Sequence, residues 1–140
     1  MKKLVKTFII TFLTIILCFN GTNLAHASTI DSTNPRLSHT NMANFLFTAS
    51  NAGGEVVIQY TGNVESFARA DVNVKIQKRF LLLFWSDVDE WNASSTETSK
   101  ILSHTFVLNG TGTYKAIFTL TTTGTDGTVD VITKEIESKY

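Results

Sequence analysis

Residues 68–77, ARADVNVKIQ, alternate without interruption: Ala70, Val72, Val74 and Ile76 fall on one side of an extended chain, and Asp71, Asn73, Lys75 and Gln77 on the other. Only a pleated strand with one buried face accounts for such a period of two. That strand needs a partner layer, so the rest of the chain is read for strands that could supply it.

Short runs of the same kind surround it, separated by turn residues at the spacing of an all-β sandwich or barrel, and no stretch carries a 3.6-residue period. A first strand is expected near Phe45 to Thr48, ended by SNAGG at 50–54. A second is expected from Glu55 to Thr61, with Val56, Ile58 and Tyr60 on one face, closed by Gly62 and Asn63. Leu102, His104, Phe106 and Leu108 share a face before the turn NGTG at 109–112. Tyr114, Ala116, Phe118 and Leu120 follow, opposite Lys115, Ile117, Thr119 and Thr121. In TDGT, 125–128, the pair Asp126-Gly127 suits a type I′ hairpin turn. Val129 to Thr133 is then the return strand, and the tail KEIESKY is expected to fray. About seven strands in roughly 100 residues is the size and rhythm of an immunoglobulin-like sandwich.

The chain begins MKKLVKTFIITFLTIILCFNGTNLAHA, with Lys2, Lys3 and Lys6, an almost uncharged stretch from Thr7 to Phe19, and small residues at Ala25 and Ala27. This is the pattern of a secretory signal peptide over residues 1–27. Its apolar stretch falls short of the roughly 20 residues a spanning helix requires. Leu17 is too bulky to precede a lipidated Cys18, so cleavage is expected after Ala27. The mature chain, residues 28–140, then has 9 basic residues, the 12 of the whole chain less the three signal lysines, against 12 acidic ones. A mildly acidic domain without a basic stripe is a poor partner for nucleic acid.

Cys18, the only cysteine, leaves with the signal, so the exported domain folds without disulfides. That economy is expected of a Gram-positive source. A chain of this length buries one core and no more. Residues 28–40, polar, aperiodic and holding the single proline Pro35, read as a flexible leader, with one domain over 41–140.

Two resemblances refine the class. LNGTGTYKA, 108–116, resembles the corner of immunoglobulin-like domains, which implies that Tyr114 bonds back to the turn backbone. Both antibody-type cysteines are missing, and Ala116 stands where the second would be. The order of VKIQK (74–78), WSDVDEW (85–91), GTYKAIFT (112–119) and DGTVDVIT (126–133) is similar to small secreted immunoglobulin-like proteins of Gram-positive bacteria with no assigned activity. That likeness implies a compartment and a fold, and no reaction.

The anomaly is RFLLLFW, 79–85. In the register of the preceding strand, Phe80, Leu82 and Phe84 continue the inner row, and Leu81, Leu83 and Trp85 fall on the polar face. The run contains none of the usual turn residues. Three readings stay open: a segment covered on both sides, an exposed recognition or dimer surface, or a hairpin tip at a membrane interface with Lys78, Arg79 and Trp85 at headgroup level. Lys78 and Arg79 on one side and Asp87, Asp89 and Glu90 on the other are placed to limit aggregation.

Chemistry-bearing residues are few. His39 falls in the leader and His104 in an alternating strand, and no serine has the context of a nucleophile. SDVDEWN, 86–92, offers Asp87, Asp89, Glu90 and Asn92 as hard oxygen donors but lacks the glycine and spacing of a calcium loop, so no metal or other cofactor is expected. Trp85 and Trp91 could form a sugar-stacking pair. The glycosylation patterns at Asn92 and Asn109 mean little in a bacterial chain.

The expectation is a secreted or cell-surface domain that binds and does not catalyse. Its partner would be a protein or envelope glycan, and membrane contact stops short of spanning. The contact residues would be Leu81, Leu83, Trp85 and Trp91, rimmed by Asp87, Asp89 and Glu90. Rival readings are a membrane-active, bacteriocin-like protein and a structural envelope module.

Overall fold

Among the described residues every strand pairs antiparallel, and the seven sort into two sheets. A computed structural model describes residues 37–140. The expected signal peptide over residues 1–27, the expected cleavage after Ala27 and the expected leader up to residue 36 lie outside the described residues. The strands are β1 (Thr40–Ser50), β2 (Gly53–Gly62), β3 (Phe67–Phe80), β4 (Phe84–Ser95), β5 (Ser99–Phe106), β6 (Thr113–Gly124) and β7 (Val129–Lys139). One sheet has the order β1-β2-β5 and the other β4-β3-β6-β7.

The alternation read in the sequence is the alternation of burial. Ala70, Val72, Val74 and Ile76 of β3 are buried, and so are Val56, Ile58 and Tyr60 of β2 and Tyr114, Ala116, Phe118 and Leu120 of β6. Phe45 and Phe47 of β1 close the core from the opposite sheet. The Phe45 ring meets Phe118 at 5.3 Å with planes tilted by 56°, an aromatic contact that ties β1 to β6 across the sandwich. Among the described residues, the 18 buried apolar ones belong to one cluster spanning residues 45–136.

Three local expectations are corrected. His39 is not in a free leader: it is buried, with Nδ1 3.0 Å from Ser66 Oγ and Nε2 2.7 Å from Thr128 Oγ1. The Asp130 carboxylate accepts the backbone N–H groups of Ser38, His39 and Thr40 at 3.2, 2.6 and 3.1 Å, which fixes the entry to β1. The 125–128 turn is not type I′, because only Gly127 has a positive φ, of 81°. The Gly127 N–H donates to Gly124 C=O and the Gly124 N–H to Thr128 C=O, a three-residue loop with its left-handed glycine last. The tail does not fray: β7 stays in register with β6 through Lys139, and Ile136 and Ser138 are buried.

β3 is the longest strand, and its two neighbours leave it at different points. Its ladder to β6 ends at Lys78↔Tyr114, while its ladder to β4 continues through Arg79↔Trp85 and Phe80↔Phe84. The end of the β3–β4 hairpin is consequently a two-stranded ribbon that overhangs the sandwich.

Candidate functional site

The overhang carries the anomalous run. Even positions of β3 keep pointing to the inner side beyond Ile76, as the register predicts, but the opposite sheet stops short. Lys78, next in that row, lays its ammonium 5.5 Å from the Tyr114 ring centre and donates to the Asn109 carbonyl, closing the end of the core. Past it no described residue covers the chain. Phe80, Leu81, Leu82, Leu83 and Phe84 are 58%, 70%, 85%, 80% and 63% exposed. This overturns the assignment of Phe80, Leu82 and Phe84 to the inner row of the core and their cover by the opposite sheet; cover by the leader up to residue 36 lies outside the described residues. A row can keep its register and still lose its cover when the facing sheet is shorter.

The turn is closed by leucines in the left-handed region, Leu81 with φ 48° and Leu82 with φ 65°. The Leu83 N–H donates to the Leu81 carbonyl at 2.8 Å, so Leu82 is the centre of a three-residue γ-turn of the strained hand. A left-handed backbone costs an L-residue with a branched side chain roughly 1–2 kcal/mol, where Asn or Gly would adopt it cheaply. The turn thus combines strained backbone with exposed apolar side chains, two features that cost stability in the free protein.

Below the tip, a β-bulge decides which residues can act together. Gln77 pairs with Asp87 and Ile76 with Asp89, leaving Val88 as an extra residue in β4. Trp85 and Asp87 therefore share the outer face with Arg79 and Gln77, whereas Asp89, Trp91 and Ala93 turn inward opposite Ile76, Val74 and Val72. If Val88 paired regularly with Ile76, Glu90 would fall opposite Val74 and point into the sandwich, and Trp91 opposite Asn73 and into water. With the bulge, Val88, Trp91 and Ala93 pack on the core and Glu90 stays outside.

The expected contact set is thereby divided among three places. Leu81 and Leu83 are at the tip. Trp85 lies on the outer face, its ring beneath the Arg79 guanidinium at 4.8 Å and the Lys115 ammonium at 4.5 Å. Arg79 also bonds Glu137 at 3.1 Å. Asp87 and Glu90 belong to a polar lattice on the same face: Gln77 Nε2 donates to Asp87 at 2.8 Å, Lys75 Nζ lies 2.9 Å from it, and Asn73 Nδ2 donates to Glu90 at 2.9 Å. The bond from Gln77, joined by that from Lys75, holds the Asp87 carboxyl below the usual aspartate range, and Asp87 in turn raises Lys75.

Trp91 and Asp89 are on the inner side of the edge strand, engaged with His104 of the other sheet. The Trp91 and His104 rings stack at 5.3 Å and 8°, and His104 Nε2 lies 2.7 Å from Asp89 Oδ2. Trp85 and Trp91 consequently face opposite sides of one sheet and cannot form a sugar-stacking pair. Asp87, Asp89 and Glu90 do not converge either, and among the described residues no three His, Cys, Asp or Glu side chains gather as metal ligands.

Sequence reasoning missed Phe80, Leu82 and Phe84 as surface residues and Lys115 as a neighbour of Trp85. A signal for the first three was present: the segment is nearly mirror-symmetric about Leu82, so a hairpin closing there pairs Phe with Phe. The neighbour of Trp85 comes from β6, thirty residues on in the sequence, and left no local trace. The Tyr114 hydroxyl donates to the Gly110 carbonyl at 2.5 Å, the bond that the corner resemblance implies.

No protein-family model, curated protein or solved structure matches the chain.

Proposed function

We propose that the protein is a secreted or surface-held, non-enzymatic binding domain with an immunoglobulin-like sandwich, and that its contact is the β3–β4 hairpin tip. The observation that carries this reading is five consecutive large apolar residues exposed on a strained turn. Such a turn weakens the free domain, so the compensation is expected in contact with something else. The immunoglobulin-like class is supported by the three-plus-four strand division and by the Tyr114 to Gly110 bond. Here the fourth strand, β4, joins the β3-β6-β7 sheet. Export is supported by residues 1–27 and by the absence of cysteine after Cys18. A binding role is favoured over catalysis because both histidines of the exported chain are committed to structural partners: His39 to Ser66 and Thr128, His104 to Asp89 and Trp91.

The test is co-sedimentation of residues 28–140 with washed Gram-positive cells, beside the Leu81→Ser/Leu83→Ser variant. Both leucines are exposed, so the variant is expected to unfold at the wild-type midpoint. Wild type is expected in the pellet and the variant in the supernatant. Equal distribution of the two, or no pelleting of wild type, overturns the reading.

A further inference from the structure

The tip is graded in polarity along its own axis. Leu81, Leu82 and Leu83 form the apex, and the Phe80↔Phe84 pair lies one step down. The next pair is Arg79↔Trp85, with the Lys115 ammonium over the same indole. At about 3.3 Å per strand residue, the apolar part is roughly 5–7 Å tall. An apolar surface lying in a membrane interface sinks about 5–10 Å into the boundary between headgroups and acyl chains. Tryptophan and cationic side chains follow at the level where the interface has its aromatic belt and its anionic headgroups.

Two further observations separate a lipid surface from a protein partner. The five apical residues carry no hydrogen-bonding side chain. The tip also projects beyond the sandwich, so its apex brings no polar side chain to set the register that a specific protein interface needs. Charge complements an anionic surface. Around the base of the tip, on its own sheet, stand Lys75, Lys78, Arg79, Lys115 and Lys139, against Asp87, Glu135 and Glu137, which pair with Lys75, Lys115 and Arg79. The opposite end of the sandwich carries Glu65, Asp126 and Asp130, with no Lys or Arg partner among the described residues. The molecule is therefore polarised, with its cationic end at the apolar tip.

Resting on the reading of the tip as the contact, we propose that its occupant is an anionic phospholipid membrane. The leucines and phenylalanines enter the interface, and Arg79, Lys115 and Trp85 lie at headgroup level. The tip does not span: its five residues are fewer than the roughly 9–11 of a membrane strand, and a γ-turn leaves peptide groups that only the hydrated interface can satisfy.

The experiment titrates residues 28–140 with vesicles of phosphatidylglycerol in phosphatidylcholine and with phosphatidylcholine alone. Trp85 emission is followed in a Trp91→Phe background, because Trp91 is packed against His104 and would add a constant signal. The expected result is a blue shift and binding on the anionic vesicles, weakened by salt and by about tenfold for each of Leu81→Ser and Leu83→Ser. Vesicle binding that ignores the serines overturns the proposal. So does a tip-dependent dimer in sedimentation velocity without vesicle binding, which assigns the tip to a second copy. If washed cells pellet wild type but not the serine double variant while neither vesicle binds, the lipid assignment fails and the tip contact stands on a protein or glycan. If cells and vesicles both leave wild type in the supernatant, both readings fall.

Discussion

Replacing Leu81 by Asn and Leu82 by Gly is expected to stabilise the protein while abolishing its attachment. The native turn holds two leucines at φ 48° and 65°, and left-handed backbone costs roughly 1–2 kcal/mol per residue, so about 2–4 kcal/mol is stored there. Asn tolerates this region and Gly adopts it freely, which releases most of that strain. Against the gain stand about 0.5–1 kcal/mol for the extra unfolded-state freedom of Gly and a few tenths for lost packing, small because the side chains are 70% and 85% exposed. A net gain of about 1–2 kcal/mol follows, worth roughly 5–10 °C in Tm for a domain of this size. Thermal and urea unfolding monitored by circular dichroism measure it, and cell co-sedimentation of the same variant measures attachment. An unchanged or lowered midpoint refutes the reasoning, because it means that the leucines already have partners in the free protein.

Other expected outcomes follow from single contacts. Tyr114→Phe removes the bond to Gly110 at the closed end of the core and is expected to cost about 1 kcal/mol in urea unfolding. Gly124→Ala would place a Cβ 2.3 Å from His39 Cε1, and His39 is held by Ser66 and Thr128, so a loss of about 1–3 kcal/mol and a lower Tm are expected. The Asp87 carboxyl is held low by Gln77 and then Lys75, so its folded pKa lies below its unfolded one. Its stabilisation is present above the ordinary aspartate range and is lost as pH falls through that range and below. The gap in urea midpoint between wild type and Asp87→Asn should therefore narrow on acidification from neutral pH to about pH 3.

What was legible in the sequence was whatever depends on period and parity. β3 and β6 alternate cleanly, and every residue assigned to their inner rows up to Ile76 and Leu120 is buried. Three things escaped, each because it depends on where another segment ends or shifts. Phe80 and Phe84 kept their parity but not their burial, since cover comes from the length of the facing sheet. Trp85 and Trp91, six residues apart, could form a sugar-stacking pair only if they shared a face. The Val88 bulge reverses the parity between them, and its reason, keeping Glu90 in water, is visible only once the pairing is known. His39 lies in a polar stretch without periodicity, and its burial comes from Ser66, Thr128 and Asp130, which no local pattern connects to it.

The central claim is that residues 80–84 are a free apolar tip that becomes covered on attachment. A single reporter tests it, because residues 28–140 contain no cysteine. Leu82→Cys, labelled with an environment-sensitive fluorophore, is expected to react with maleimide as fast as a small peptide thiol. Its emission should be that of a water-exposed probe, shifting to the blue and brightening on addition of washed cells. Slow labelling in the free protein, or emission unmoved by cells that pellet it, would contradict the account.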